Sequence, residues 1–336
     1  MALKRGKQTY LFQHPAAIRS FAAIGSKREG EGPLGEFFDT INPDSTFGQK
    51  SWERAESRLH HDTVELAVKK AGLSYADLDC LLAGDLLNQC IGATFGVREL
   101  GIPYLGIYGA CSNMAEGLLL SAFLAESGLR YLGVSTASHF CTAERQYRTP
   151  LEYGGQRTPT AQWTVTGAGA AILAREGPGP YVTHCTLGKI TDKGITDTNN
   201  MGAAMAPAAY ATLTAHFQDT GRGPDYYDLI VTGDLGKLGR ELLLELFRQD
   251  GVDLSTNHND CGLMIFDLEN QDVHCGGSGC GCSASVLTGY LLNGMREGRW
   301  KNILFCPTGA LHSPTSAFQG ESVPGICHAI AISAVK

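Results

Sequence analysis

The 336-residue chain has no run of even 18 apolar residues, so no segment is expected to cross a bilayer as a helix, and any membrane role is expected to be peripheral. Charge is sparse as well. Charged residues make up 18% of the chain and the net charge is −7, a balance that argues against generalised nucleic-acid binding. The N-terminal stretch MALKRGKQTYLFQ is basic, but no apolar segment follows it, so a secretory leader is not expected. Lys4, Arg5 and Lys7 are too few for more than weak attraction to anionic lipid. Paired CxxC spacing is also missing. The densest cysteine cluster, Cys275-Gly-Gly-Ser-Gly-Cys280-Gly-Cys282 after His274, reads as a Gly-rich turn rather than a structural zinc site. The 11 cysteines are odd in number and sit in a large chain, which favours reduced thiols in a cytosol-like compartment.

What is present describes a soluble globule. Hydrophobic residues account for 43%, and 42 glycines imply many tight turns. Strand-like and helix-like runs alternate, which implies an α/β architecture. The pattern also repeats. Asp79-Cys-Leu-Leu-Ala-Gly84-Asp85-Leu86 matches Asp228-Leu-Ile-Val-Thr-Gly233-Asp234-Leu235, each an apolar strand ending in Gly-Asp-Leu. A helix from Cys111 to Gly128 and a strand over Tyr131–Thr136 have counterparts in a helix over Cys280–Met295 and a strand over Asn302–Cys306. The expected halves are 1–176 and 179–336, joined at Gly177-Pro178-Gly179-Pro180. Such halves pack about a pseudo-twofold axis and bring strand C-termini and helix N-termini to one crevice. Segments 26–51 and 139–163 lack periodicity and read as long loops. In the helix Trp52–Ala71, His60 and His61 are expected at the surface.

Cys111 stands where the apolar strand Tyr104–Tyr108 turns through Gly109-Ala110 into a helix. The unpaired N–H groups and positive dipole end of a helix favour a thiolate there, and an acyl-transfer enzyme places its nucleophile at such a point.

The duplicated halves, the Gly109-Ala110-Cys111-Ser112 turn and Thr166-Gly-Ala-Gly-Ala-Ala171 together resemble the ketoacyl synthase III branch of the thiolase fold. The implied fold is a duplicated α-β-α-β-α layered α/β structure with two pseudo-symmetric halves. Condensing enzymes of that branch pair the cysteine with a His and an Asn from the second half. The matching places here hold Gly233 and Cys280. A narrower resemblance covers nearly the whole chain. Phe47-Gly-Gln-Lys-Ser-Trp-Glu53, Ala83-Gly-Asp-Leu-Leu-Asn-Gln89, Asn199-Asn-Met-Gly202 and Ser313-Pro314 are similar to the stage V sporulation protein AD family. That resemblance implies a non-catalytic binder of dipicolinic acid, alone or as its calcium chelate, with no further cofactor. It also implies membrane-embedded stage V sporulation partners, a homodimer, a peripheral place at the inner membrane of the forespore or spore, and a part in uptake and germination release.

Dipicolinate is a flat ring flanked by two carboxylates, so its pocket needs N–H or cationic donors and an apolar slot. Cys111, Ser112 and Asn113 offer a helix start, and Cys280 offers the equivalent start in the other half. Asp85 either orients the ligand, binds an accompanying calcium or caps a turn. His139 is either a ligand contact or a loop residue. Arg145, Arg148 and Arg157, with Lys189 and Lys193, are candidates for counter-charge. The rival function is a ketoacyl-synthase-like acyltransferase with Cys111 as nucleophile.

Overall fold

The computed structural model describes residues 2–147 and 157–336. Ten strands carry the frame: β1 Thr9–Ser26, β2 Cys80–Gly84, β3 Tyr104–Gly106, β4 Tyr131–Ser138, β5 Gly167–Ala174, β6 Tyr181–Thr186, β7 Leu229–Thr232, β8 His258–Asp260, β9 Asn302–Cys306 and β10 Ala329–Ser333. They run side by side in the order β8-β7-β9-β10-β6-β1-β5-β4-β2-β3. From the seam between β6 and β1 outward, β1 to β5 and β6 to β10 are laid down in the same relative order. β2–β4 and β7–β9 are parallel pairs, whereas β4–β5 and β9–β10 are antiparallel. The two Gly-Asp-Leu strands, β2 and β7, therefore occupy equivalent places. β1 is 18 residues long and pairs antiparallel with β6 through Thr9–Ala17 and with β5 through Ala17–Gly25.

The principal helices are α1 Trp52–Ala71, α2 Ile91–Val97, α3 Asn113–Glu126, α4 Phe140–Tyr147, α5 Met201–Thr220, α6 Gly236–Gln249 and α7 Cys280–Val286. α3 packs on strands of both halves, and α7 lies on β4 and β5 and touches α3. These two helices form the middle layer. α1 covers the opposite face of β1, β4 and β5, while α5 and α6 pack together outside the second half. The inner position of α7 depends on Gly281, where a Cβ would stand 2.3 Å from the carbonyl oxygen of Gly167 on β5.

Several expectations are corrected. His60 is fully buried, with Nδ1 3.0 Å from Ser135 Oγ on β4, and burial pushes its pKa down to about 3. α1 is covered by the sheet on one side and by α2 on another, so its buried face is wider than one helical stripe and takes in position 60. Segment 139–163 contains α4, and 26–51 contains the short helix Lys27–Gly30 and the strand Thr40–Asn42, which extends the sheet beside β1. The strand before Cys111 stops at Gly106, and the second inner helix continues from α7 through a π-helical turn, Leu287–Leu291, before Leu292–Arg296.

Candidate functional site

Cys111 sits in a single 3₁₀ turn, Ala110–Ser112, that feeds directly into α3. Ala110 takes φ 51°, a left-handed conformation that costs a non-glycine residue energy and is held only where the surroundings fix it. Here the turn is fixed by its own polar groups. The Gly109 carbonyl accepts from Ser112 N (3.1 Å) and Ser112 Oγ (2.7 Å), and Gly109 N donates to Asn113 Oδ1 (2.5 Å). From the second half, Gly309 in the strand Thr308–Ala310 comes so close that a Cβ would stand 2.2 Å from the Gly109 carbonyl oxygen.

The cysteine forms the floor of a cavity of about 60 Å³, room for roughly four waters. Leu86, Ala110 and Ala143 supply apolar wall, and Tyr147 stands beside them on α4. The second half contributes Asn199, Met201, Ser278 and His312. Tyr147 Oη donates to the Leu86 carbonyl (2.5 Å) and lies 3.0 Å from Tyr108 Oη. Its ring is 5.2 Å from the His312 ring. No lysine or arginine lines the cavity among the described residues.

The charge behind the floor is negative. Asp234, just past β7, is fully buried, and its charge acts on the Cys111 thiol. Its carboxyl also accepts from Thr308 Oγ1 (3.1 Å), Ser278 Oγ (3.1 Å) and Gly279 N (3.0 Å). Burial raises this carboxyl to about 7. Burial first, and then the Asp234 charge, push the Cys111 thiol well above its usual range. This corrects the expectation that the helix start would favour a thiolate, because desolvation and a neighbouring carboxylate outweigh the dipole.

The other sequence candidates fall in several places. Ser112 and Asn113 are buried in the turn, with Asn113 Nδ2 donating to the Asp85 carbonyl (3.0 Å). Asp85 lies behind the lining residue Leu86. Its Oδ1 accepts from Leu87 N (2.7 Å) and its Oδ2 from Ala93 N (2.6 Å), so it fixes the 85–93 segment. Cys280 is fully buried, and its thiol donates to the Ala137 carbonyl (2.9 Å). His139 is set apart from the cavity, with Nε2 2.8 Å from the Ser45 carbonyl oxygen and its ring tilted over Trp52. Arg145 pairs with Glu53 beside an outer cleft. Arg157 pairs with Asp272 (2.8 Å) against the Trp163 ring. Lys189 and Lys193 are exposed, and Arg148 lies outside the described residues. Cys275, Cys280 and Cys282 direct their thiols to three different carbonyls.

Sequence reasoning missed Asp234, Tyr147 and His312 as site residues. Two signals pointed toward them: Asp234 is the repeat partner of Asp85, and His312 adjoins the Ser313-Pro314 stretch.

Chemically, the site joins a protonated thiol, polar groups that include the Glu144 carboxyl, and apolar wall. The residue after β7 is Gly233, and Cys280 opens α7, so the two places that the resemblance to condensing enzymes assigns to a His and an Asn hold a glycine and a cysteine.

Known structures share this frame. A 3-oxoacyl-[acyl-carrier-protein] synthase III from Aquifex aeolicus VF5 superposes with a TM-score of 0.60 at 13% identity, over 95% of this chain and 99% of the other. A variant of OleA from Xanthomonas campestris gives 0.61 at 16% identity, over 96% and 99%. At that identity the likeness shows the fold alone, which is the thiolase fold. In sequence, the chain is 44% identical to Stage V sporulation protein AD of Bacillus subtilis (strain 168), over 97% of this chain and 96% of the relative. The family model for Stage V sporulation protein AD matches residues 6–333, and the chain therefore belongs to the stage V sporulation protein AD family.

Proposed function

We propose that this sporulation protein binds dipicolinic acid, or its calcium chelate, in the Cys111 cavity without transforming it. In this reading the protein supports uptake of the compound into the developing spore and its release at germination. The observation that carries the proposal is the pairing of Cys111 with Asp234 under an intact cavity. A thiol held protonated by its burial and then by the nearby Asp234 carboxyl, with Gly233 and Cys280 in the partner positions, is a poor nucleophile at a well-formed ligand site. Asp85 contributes indirectly, by fixing the segment that carries Leu86.

Calorimetric titration with dipicolinate, with and without calcium, tests the reading. Saturable heat is expected, and no heat at millimolar ligand would remove the proposal. Cys111→Trp fills the cavity and is expected to abolish binding in a folded protein. An acyltransferase would instead acquire mass at Cys111 from an acyl-coenzyme A, and that result would favour the rival reading.

The wider setting is part of the same proposal. The protein would work at the inner membrane of the spore with membrane-embedded stage V sporulation partners. No helix among the described residues is long and apolar enough to cross a membrane, so the proposed association is peripheral. A homodimer through the β3 edge is supported by the apolar side chains exposed there.

A further inference from the structure

The antiparallel ladder between β4 and β5 ends at the pair Tyr131 and Ala174. One step further out, Arg130 and Arg175 stand opposite each other, with Arg175 N donating to the Arg130 carbonyl (3.0 Å). Residues opposite each other on paired strands put their side chains on one face. Both arginines are exposed and line a cleft of about 410 Å³ with Gly128, Tyr131 and Glu176. The other end of β4 reaches Cys280, which shares an apolar cluster with Cys111, so the cleft lies at the far end of the strand from the Cys111 cavity.

Like charges directly opposite each other repel, and no carboxylate among the described residues pairs with these two. Neither guanidinium has a hydrogen bond or an ion pair there. That of Arg130 lies 4.8 Å from the centre of the Tyr131 ring, and Arg19 on β1 brings a third guanidinium 5.7 Å from the same ring. The neighbouring acids are engaged elsewhere. Asp79 accepts from Arg130 N (2.5 Å) and Tyr131 N (3.1 Å), and Asp77 accepts from Ser74 N (2.8 Å) and Ser74 Oγ (2.7 Å). Glu176 lines the cleft without an ion pair to either arginine among the described residues.

The fold does not need the arginine pair. In the second half, Lys301 and Ala334 hold the equivalent places just beyond the Asn302–Ser333 pair of β9 and β10. Ala334 N donates to the Lys301 carbonyl (2.8 Å), and Asp228 accepts from Lys301 N (2.7 Å) and Asn302 N (2.8 Å). The same corner is built there with a single cation.

We propose that the cleft at Arg130 and Arg175 binds a phosphate group, carried by a free phosphate species or by a phospholipid headgroup. This is independent of the reading of the Cys111 cavity. A guanidinium presents a planar fork of donors that meets an oxyanion in paired hydrogen bonds. Two forks on one face suit a phosphate, whose oxygens point in several directions, better than a lone carboxylate, which one fork satisfies. A bound anion also offsets the repulsion between the two opposed cations.

The test is calorimetric titration of the full chain with inorganic phosphate at constant ionic strength, comparing wild type, Arg130→Gln, Arg175→Gln and the double variant. Sedimentation with mixed phosphatidylglycerol–phosphatidylcholine vesicles, against phosphatidylcholine alone, accompanies it. Saturable phosphate binding is expected in the wild type. Each single variant is expected to weaken it about tenfold, the loss of one charge-assisted contact, and the double variant to abolish it. Sedimentation with the anionic vesicles alone, lost in the double variant, assigns the phosphate to a lipid headgroup. Phosphate binding without sedimentation assigns it to a free species. A wild type that binds neither probe, or a double variant that matches the wild type within about twofold on both, overturns the proposal. If a glutamine variant does not fold, Arg175→Ala, which copies Ala334 of the second half, takes its place.

Discussion

The buried carboxyl of Asp234, past β7 of the second half, acts on the thiol of Cys111 in the first half and raises its pKa. That influence sets the chemistry of the cavity floor, because it places negative charge where an acyl-transfer site would need to stabilise a thiolate.

Cys111 should therefore be slow to alkylate. The side chain is only 6% exposed, and each unit by which its pKa rises removes about nine-tenths of the thiolate. Iodoacetamide labelling at pH 7, read by peptide mass, is expected to reach the half-exposed Cys141 well before Cys111. Asp234→Asn removes the charge, so it should speed Cys111 labelling several-fold. Rapid labelling of Cys111 in the wild type would contradict the assignment.

Asp234 should also leave a signature in stability. Burial moves it from 3.8 to about 7, so the folded state binds the proton more tightly than the unfolded chain. The favourable contribution is complete below about pH 3.8 and is lost as pH rises through 7. Asparagine does not titrate. Relative to Asp234→Asn, the wild type is expected to lose up to ~4 kcal/mol of unfolding free energy between pH 4 and pH 8. Urea melts of both proteins across that range give the difference, and a pH-independent gap would show that Asp234 stays ionised.

His60 acts with the opposite sign. Its pKa falls from 6.5 to about 3 on folding, so its contribution is present above 6.5 and lost as pH drops toward 3. His60→Gln removes that dependence. The variant should lose about 4 to 5 kcal/mol less than the wild type between pH 7 and pH 3, measured by the same melts.

His60 also marks where the sequence stopped being legible. The duplicated halves could be read because Gly-Asp-Leu ends both β2 and β7, and the equivalent sheet positions follow from it. The Cys111 turn was legible from Gly-Ala-Cys before an apolar helix. Burial of position 60 was not, since it depends on α2 and the sheet covering α1 from two directions, neither of which is local. Asp85 and Asp234 share a motif yet differ in role. Asp85 bonds to the backbone of its own 85–93 segment, while Asp234 meets Cys111, Thr308 and Ser278 from elsewhere in the chain. His312 lies in Leu311-His312-Ser313-Pro314, which has no periodicity, and only the tertiary fold brings it beside Tyr147.

The edge of the sheet makes a separate prediction. Among the described residues β3 pairs only with β2, and Leu105 on it is 48% exposed, close in sequence to Tyr108 at 43%. An unpaired apolar edge invites a partner strand. Light scattering at micromolar protein is expected to give a dimer mass, and Leu105→Arg is expected to halve it. A monomeric wild type would remove the β3 edge from the proposal.

The close approach of Gly309 to Gly109 links the second half to the strained Cys111 turn. A methyl group at position 309 would stand 2.2 Å from the Gly109 carbonyl oxygen and 3.3 Å from Ala110 Cβ. That carbonyl accepts two hydrogen bonds from Ser112, so displacing it disturbs the segment that holds Ala110 at φ 51° and Cys111 at the floor. Gly309→Ala is expected to cost about 1–3 kcal/mol of stability, as overpacking does, and to weaken dipicolinate binding beyond any loss through unfolding. Gly223→Ala is the control, because a Cβ there meets nothing within 4 Å. Thermal melts and calorimetry on the two variants separate the effects. If Gly309→Ala binds as tightly as Gly223→Ala, the turn's geometry does not govern the cavity, and the second half acts on the ligand only through the residues that line it.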